Sequence, residues 1–388
     1  MPACVLTRAT LVDPEGAAPE RGSLLIEGGR IAAILSEADP LPDAPCHDLR
    51  GQRLAPGFID LHYHGGLVLQ EATGWRESLR ASSESLVRHG TTGFLATTVA
   101  WSREVLAERV GALAELLARE QWPGAVPIGL HLEGPWIRPE AAGAQPSAAI
   151  RAYDPAEGRE VLERGDGSVR LVTLAPEVEG APALLGDLAR RGVVAALGHS
   201  RAAPPDIESG IAEGLVHVTH LFNAMGSFHH RDVGTAGFAL ADDRLSCDLI
   251  CDGAHVHPAA VRTAARAKGE GLVLITDRVE IDPPGPAGTA APSFGSGELH
   301  SDGTALRLPD GRLAASHLTL DRAVANFREF TGATLPEAVA ACTLRPARLL
   351  GIESERGTLR VGARADLVVI GDDGSICQTW IGGNLTHK

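Results

Sequence analysis

Imidazoles and carboxylates recur in this chain at one kind of position, after an apolar run of strand length and before turn residues. His62 and His64 precede Gly65, Glu133 precedes Gly134, His199 precedes Ser200, His220 precedes Asn223, and Asp277 ends the last such run. Strand alternation puts Asp60, His62 and His64 of Phe58–His64 on one face. Taken singly, each histidine is more often a satisfied core residue than a ligand, and one His-x-His pair says little. Together they weigh more, because each such group costs free energy to bury without a partner or a cation. The chemistry they point to as a set is binding of a divalent metal.

These residues are spread over more than 200 positions, so the fold must bring distant strand ends together. From about Leu54 to Leu350, apolar runs alternate with helical patterns. The candidate strands are Phe58–His64, Gly93–Val99, Val126–Glu133, Arg170–Leu174, Val193–His199, Leu215–His220, Asp248–Asp252 and Leu272–Asp277. Continuous apolar strands are expected in a parallel sheet covered on both faces. Between two of them, Ser102–Glu120 carries Val105, Leu106, Val110, Leu113, Leu116 and Leu117 at the three-to-four spacing of an amphipathic helix. The pattern predicts an α/β fold, a (β/α)8 TIM-like barrel over 54–353, whose strand C-termini share one mouth. A doubly wound open sheet is the alternative, but no GxGxxG follows the first strand. Short β segments at Val5–Val12, Ser23–Glu27, Arg30–Leu35, Thr358–Val361, Asp366–Ile370 and Ile376–Ile381 predict a small β-sandwich domain built from 1–53 and 354–388. Pro283–Arg312, rich in Gly, Pro and Ser, reads as an inserted loop or hairpin near the barrel mouth.

Composition removes competing functions. With 388 residues, 44% hydrophobic and 22% charged, the chain is an ordinary globular one. A net charge of −14 argues against nucleic acid or an anionic membrane as partner. The six cysteines are scattered without a CxxC, which predicts buried thiols in a reducing, cytoplasmic setting. No stretch approaches the ~20 apolar residues of a membrane span. Lysine occurs only at Lys268, at the polar end of a predicted helix Pro258–Gly269, and at Lys388. A Schiff-base, P-loop or metal-bridging carbamylated lysine therefore has nowhere to sit.

Several motifs resemble the N-acetylglucosamine-6-phosphate deacetylase family of the amidohydrolase superfamily, nearly end to end. They are Pro56-Gly57-Phe58-Ile59-Asp60-Leu61-His62-Tyr63-His64-Gly65, His131-Leu132-Glu133-Gly134-Pro135, Gly198-His199-Ser200, Thr219-His220-Leu221-Phe222-Asn223-Ala224-Met225, Asp252-Gly253-Ala254-His255 and Thr276-Asp277. The second and fourth are the specific ones. The resemblance implies one or two divalent ions, zinc foremost, with iron or another transition metal as alternatives. Glu133, His199 and His220 would hold one ion; His62 and His64 would hold a second that Glu133 bridges. Such a metal brings hydroxide within reach of neutral pH and polarises an amide carbonyl. Asp277 would take the water's proton and pass it to the leaving nitrogen. For the substrate, the resemblance implies His255 near the carbonyl or sugar, and Asn223 and Ala224 at a phosphate. It also implies Arg231 reaching the phosphate from a neighbouring subunit of a homodimer, and Leu313, Ala314 and Ala315 along the sugar.

Three stretches depart from the family pattern. At Ala144-Gln145 a glutamine, able to hydrogen-bond a sugar, stands where the family usually has histidine. Arg278 follows Asp277, where it could weaken that base, point away or bind an anion. Leu67-Val68-Leu69-Gln70 lacks the expected acids. These departures keep two alternatives open: a deacylase of an unphosphorylated sugar or an N-acyl amino acid, and a non-catalytic scaffold, which would predict eroded ligands.

Overall fold

A computed structural model describes residues 3–69, 74–280, 290–294 and 297–388. Eight parallel strands follow one another around a curled sheet in chain order: β1 (Phe58–Gly65), β2 (Thr91–Thr97), β3 (Val126–Glu133), β4 (Val169–Leu174), β5 (Val194–Leu197), β6 (Leu215–Val218), β7 (Ser246–Ile250) and β8 (Leu272–Ile275). Every residue of β1, β2 and β8 is buried, as strands covered on both faces require. The helix over Arg103–Arg119 turns Leu106, Val110 and Leu113 onto the sheet.

The seam between β8 and β1 is closed by side chain and backbone together. The Asp60 carboxylate accepts the Thr276 hydroxyl at 2.6 Å and the His62 and Thr276 N–H groups at 3.2 and 3.3 Å. The Asp277 N–H reaches the His62 carbonyl at 2.9 Å. Asp60 thus ties the first strand to the last at the level of the histidines.

Five sequence-predicted strands run too long at their C-terminal ends, those to Val99 and Asp252 and three that end on metal-competent residues. His199, His220 and Asp277 lie just beyond β5, β6 and β8, with φ of 48°, 33° and 51°. A non-glycine residue in the left-handed region cannot continue a strand. The turn therefore begins at the ligand itself. Such backbone costs about 1–3 kcal/mol and concentrates at functional sites.

After β8, Arg278–Val279 pairs in parallel with β1 and with Leu313–Ser316, and beyond Leu313–Ser316 the sheet continues as antiparallel strands through Ala305–Arg307, Gly297–Ser301 and Ala290–Phe294. The described part of the predicted insertion is therefore hairpin. Residues 281–289 and 295–296, and Gln70 of the altered stretch, lie outside the described residues.

Both chain ends meet in one further sheet of eight strands with its own core of Leu6, Ile26, Ile31, Leu54, Leu367 and Trp380. Its strand Arg53–Pro56 crosses the boundary expected at 53/54. Thr358–Val361 is not a strand; it lies between the left-handed glycines Gly357 and Gly362, although Leu359 still fills the core. Lys268 is not at a solvated helix end either. It is buried, and its ammonium donates to the carbonyls of Ala239 and Asp242 at 2.9 and 2.7 Å. No helix among the described residues is long and apolar enough to cross a membrane.

Candidate functional site

At the C-terminal end of the barrel, β1, β3 and the turns after β5, β6 and β8 bring His62, His64, Glu133, His199, His220 and Asp277 together, all buried. They fall into two trios, His62–His64–Asp277 and Glu133–His199–His220, each with ligand atoms within 4.8 Å of one another. Glu133 joins them. One carboxylate oxygen, Oε1, lies 2.9 and 3.1 Å from Nε2 of His199 and His220. The other, Oε2, lies 3.4 and 3.3 Å from Nε2 of His62 and His64. Asp277 Oδ1 stands 3.4 and 3.2 Å from the same two nitrogens.

Backbone carbonyls orient the rings. Nδ1 of His64 faces the Thr97 carbonyl at 3.1 Å, and Nδ1 of His199 faces that of Ala141 at 2.8 Å. An Nδ1–H donated to a carbonyl leaves the Nε2 lone pair for a metal. The Asp248 carboxylate accepts the His220 N–H and contacts Nε2 of His217 at 3.2 Å, which holds the strained turn after β6. Sequence reasoning missed Asp248; its place within the β7 apolar run was the available signal. His131 is not part of the cluster. It bonds Thr173 Oγ1 at 2.8 Å, packs edge-on to His62, and is pushed well down in pKa by burial.

The electrostatics are those of opposed charges held out of water. Burial alone would lower His64, but Asp277 and Glu133 hold it up at about 10; His220, against the same burial, stands at about 9 through Glu133. Conversely, burial would raise Asp277 and Glu133, but the imidazoles, His62 foremost, hold both well below the carboxylate range. Four imidazoles and two acids converging through Nε2 and carboxylate oxygen make a donor set suited to one or two divalent transition metals.

A cavity of about 370 Å³ opens above the cluster. Ala144, Gln145, Asn223, Ala224, His255, Leu313 and Ala314 line it. His255 is oriented by Asp252, whose carboxylate meets Nδ1 at 2.6 Å and the backbone N–H at 2.7 Å. The Asn223 amide donates to the carbonyls of His220 and Leu221 at 3.2 and 3.3 Å.

Four expectations need correcting or completing. Ala315 is buried off the cavity, its neighbour Ala314 being the residue that lines it. Gln145, 3% exposed, is held by the protein as well as lining the cavity: its amide nitrogen donates to Glu133 Oε2 at 2.6 Å and its oxygen accepts the Ala100 N–H at 2.8 Å. Each end of the amide makes one bond within the protein. Arg278 turns away from Asp277, donating to the His317 carbonyl at 2.7 Å. Arg231 is exposed beside His230 and does not reach the cavity of its own chain. Conversely, Arg201 and Arg312 line the cavity and were not foreseen.

A curled parallel barrel with this histidine–carboxylate mouth defines a class, and the chain belongs to the amidohydrolase family, whose model it matches over residues 53–386. More narrowly, it is similar over nearly its whole length to enzymes that act on amino sugar phosphates. It is 36% identical to the N-acetylglucosamine-6-phosphate deacetylase of Bos taurus, covering 96% of this chain and 93% of that one. To the N-acetylgalactosamine-6-phosphate deacetylase of Escherichia coli O157:H7 it is 33% identical, covering 98% of each. The crystal structure of N-acetylglucosamine-6-phosphate deacetylase from Pasteurella multocida superposes with a TM-score of 0.90 over the full length of both chains, at 25% identity.

Proposed function

We propose that this hydrolase removes the acetyl group from an N-acetylated amino sugar phosphate, N-acetylglucosamine 6-phosphate or its galacto isomer, giving acetate and the free amine. The observation that carries the reading is the Glu133 carboxylate shared between two buried histidine pairs at the floor of a substrate-sized cavity.

Glu133, His199 and His220 would hold one divalent metal, and His62 and His64 with Glu133 would hold a second; zinc would suit the ligand set, as would iron. A metal bound there would supply Lewis acidity toward the water and the acyl carbonyl. Asp277 accepts the proton of the attacking water and returns it to the departing nitrogen. Its backbone is held for that task by the His62 carbonyl on one side and the Ser316 N–H on the other, each at 2.9 Å. With Nδ1 committed to Asp252, His255 offers Nε2 to the amide carbonyl or the sugar. Ala224 and Asn223 meet the phosphate, and Leu313 and Ala314 line the sugar. Phe228, 62% exposed three residues before Arg231, supports a homodimer in which that arginine reaches the partner's substrate. Six free cysteines support a cytoplasmic setting.

The reading of another N-acyl substrate rested on Gln145 and Arg278, and both are engaged by the protein itself, so no observation favours it. Metal-replete protein should release acetate from one or both N-acetylhexosamine 6-phosphates. Turnover of other amides with neither sugar phosphate cleaved would overturn the substrate assignment.

A further inference from the structure

We propose that Arg262, Arg266 and Arg345 form a second binding site, remote from the barrel mouth, for a small phosphate-bearing anion; it goes beyond the reaction proposed above and does not depend on it.

A cavity of about 400 Å³ lies among the helices Pro258–Lys268, Leu320–Thr331 and Leu335–Ala340 and the turn Gly269–Gly271. All three arginines line it, and Phe327 gives it an apolar wall. Its place in the fold follows from Arg345, whose Nη1 donates to the Leu272 carbonyl at 2.8 Å. Leu272 opens β8, and Asp277 lies past the other end of that strand, so the cavity sits at the opposite end of β8 from the hydrolytic cluster. A second guanidinium is fixed in the same way: Arg262 Nη1 donates to the Phe330 carbonyl at 2.8 Å.

The charges around this cavity do not close. None of the three arginines has a carboxylate within ion-pair distance among the described residues, and Arg266 has no hydrogen-bond partner there either. The two acids that line the cavity are committed elsewhere. Glu337 accepts the Thr334 N–H and hydroxyl at 2.7 Å each, which caps its own helix. Glu270, whose side chain is 87% exposed, stands 3.7 Å from Arg348. Helix-end electrostatics accounts for Arg266, in the last turn of Pro258–Lys268, where a cation meets the terminal carbonyls. It does not account for Arg345, which is half-buried and whose pKa burial pushes down. In a chain of net charge −14, three arginines gathered without a carboxylate make a local positive field that an anion would neutralise. Arg262 keeps Nε and Nη2, and Arg266 its whole guanidinium, so unused forks face the shared space, a geometry that phosphate oxygens accept in pairs. The volume is that of a small-molecule site.

The test titrates metal-loaded protein with glucose 6-phosphate by calorimetry, beside the variants R262Q, R266Q and R262Q/R266Q. Both arginines are exposed on one helix and glutamine is close to arginine in helix propensity, so the variants keep the fold. Arg345 is left in place because it holds Leu272. The parent should show a binding event that weakens about tenfold in each single variant, the scale of one lost charge-assisted hydrogen bond, and vanishes in the double one. The KM for N-acetylglucosamine 6-phosphate should stay within about twofold, which separates this event from binding at the mouth. Inorganic phosphate tells the sources of the anion apart: equal affinity makes the free ion the occupant and weaker affinity an ester, and in both cases the double variant must lose it. An isotherm unchanged in R262Q/R266Q, or a KM that rises in step with the lost event, would overturn the proposal. If no acetamido sugar is cleaved but the arginine-dependent event remains, this site stands and the deacetylase reading falls.

Discussion

Replacing Gln145 by methionine keeps the volume of a buried side chain and removes both its hydrogen bonds. The Ala100 N–H, buried with it, loses its acceptor, which costs about 1–3 kcal/mol. Glu133 Oε2 loses a 2.6 Å donor, a charge-assisted bond of about 1.5–3 kcal/mol. That donor also fixes the rotation of the carboxylate, so that Oε1 faces His199 and His220 while Oε2 faces His62 and His64. Partners that orient a ligand in this way are typically worth 10- to 100-fold in metal affinity. Gln145→Met should therefore lower the unfolding free energy of metal-free protein by about 3 kcal/mol and weaken zinc binding about 10- to 100-fold. Urea unfolding and zinc titration against a competing chelator measure the two effects separately. Unfolding within about 0.5 kcal/mol of the parent, with zinc affinity within twofold, would refute the claim that Gln145 orients Glu133.

Asp277→Asn should cut kcat about 10²- to 10⁴-fold, the usual worth of a positioned acid–base group, and elemental analysis should still find metal at the Glu133–His199–His220 trio. Glu133→Ala should leave purified protein with little bound metal at either trio, because the one carboxylate serves both. Asp60→Ala strands the Thr276 hydroxyl and two backbone N–H groups at the barrel seam, and should cost about 3 kcal/mol or more in urea unfolding. Thiol alkylation of native protein should mark exposed Cys46 first and Cys4 and Cys377 more slowly. Buried Cys247, whose thiol burial pushes up to about 12, and buried Cys251 and Cys342 should react only after denaturation.

The barrel was legible because strands buried on both faces must be apolar along their length, so β1 to β8 announce themselves without alternation. Two strands of three and four residues carry no such run. Cys46–Asp48 has three residues, and Arg53–Pro56 ends in a proline. The six metal-competent residues were legible for a different reason: imidazole and carboxylate at several strand ends cannot be buried at random. What pattern reading could not supply was direction. Gln145 offers the same amide whether it faces a sugar or Glu133, and the difference lies in the Ala100 N–H, which needs an acceptor at 2.8 Å. Arg278 has a backbone carbonyl to satisfy and turns to it. Arg201 and Arg312 look in sequence like any solvated arginines, because the turn over 140–143 that gathers them is far from both along the chain.

The strained backbone shows how the two kinds of information combine. His199, His220 and Asp277 each leave the β region at the residue that carries the chemistry, so each side chain swings off the strand's alternation and toward the mouth. Alternation alone would have directed them by strand parity, as it does for His62 and His64 within β1 and Glu133 within β3. The left-handed turns are held by contacts already in place: Asp248 on the His220 N–H, and the His62 carbonyl on the Asp277 N–H. Because these contacts belong to the protein and not to a bound ion, metal-free protein should keep the ligand geometry, and removing metal should change activity far more than fold. A chelator-treated sample should therefore retain a cooperative unfolding transition and regain activity on adding zinc; loss of that transition would mean the ion, not the backbone, builds the site.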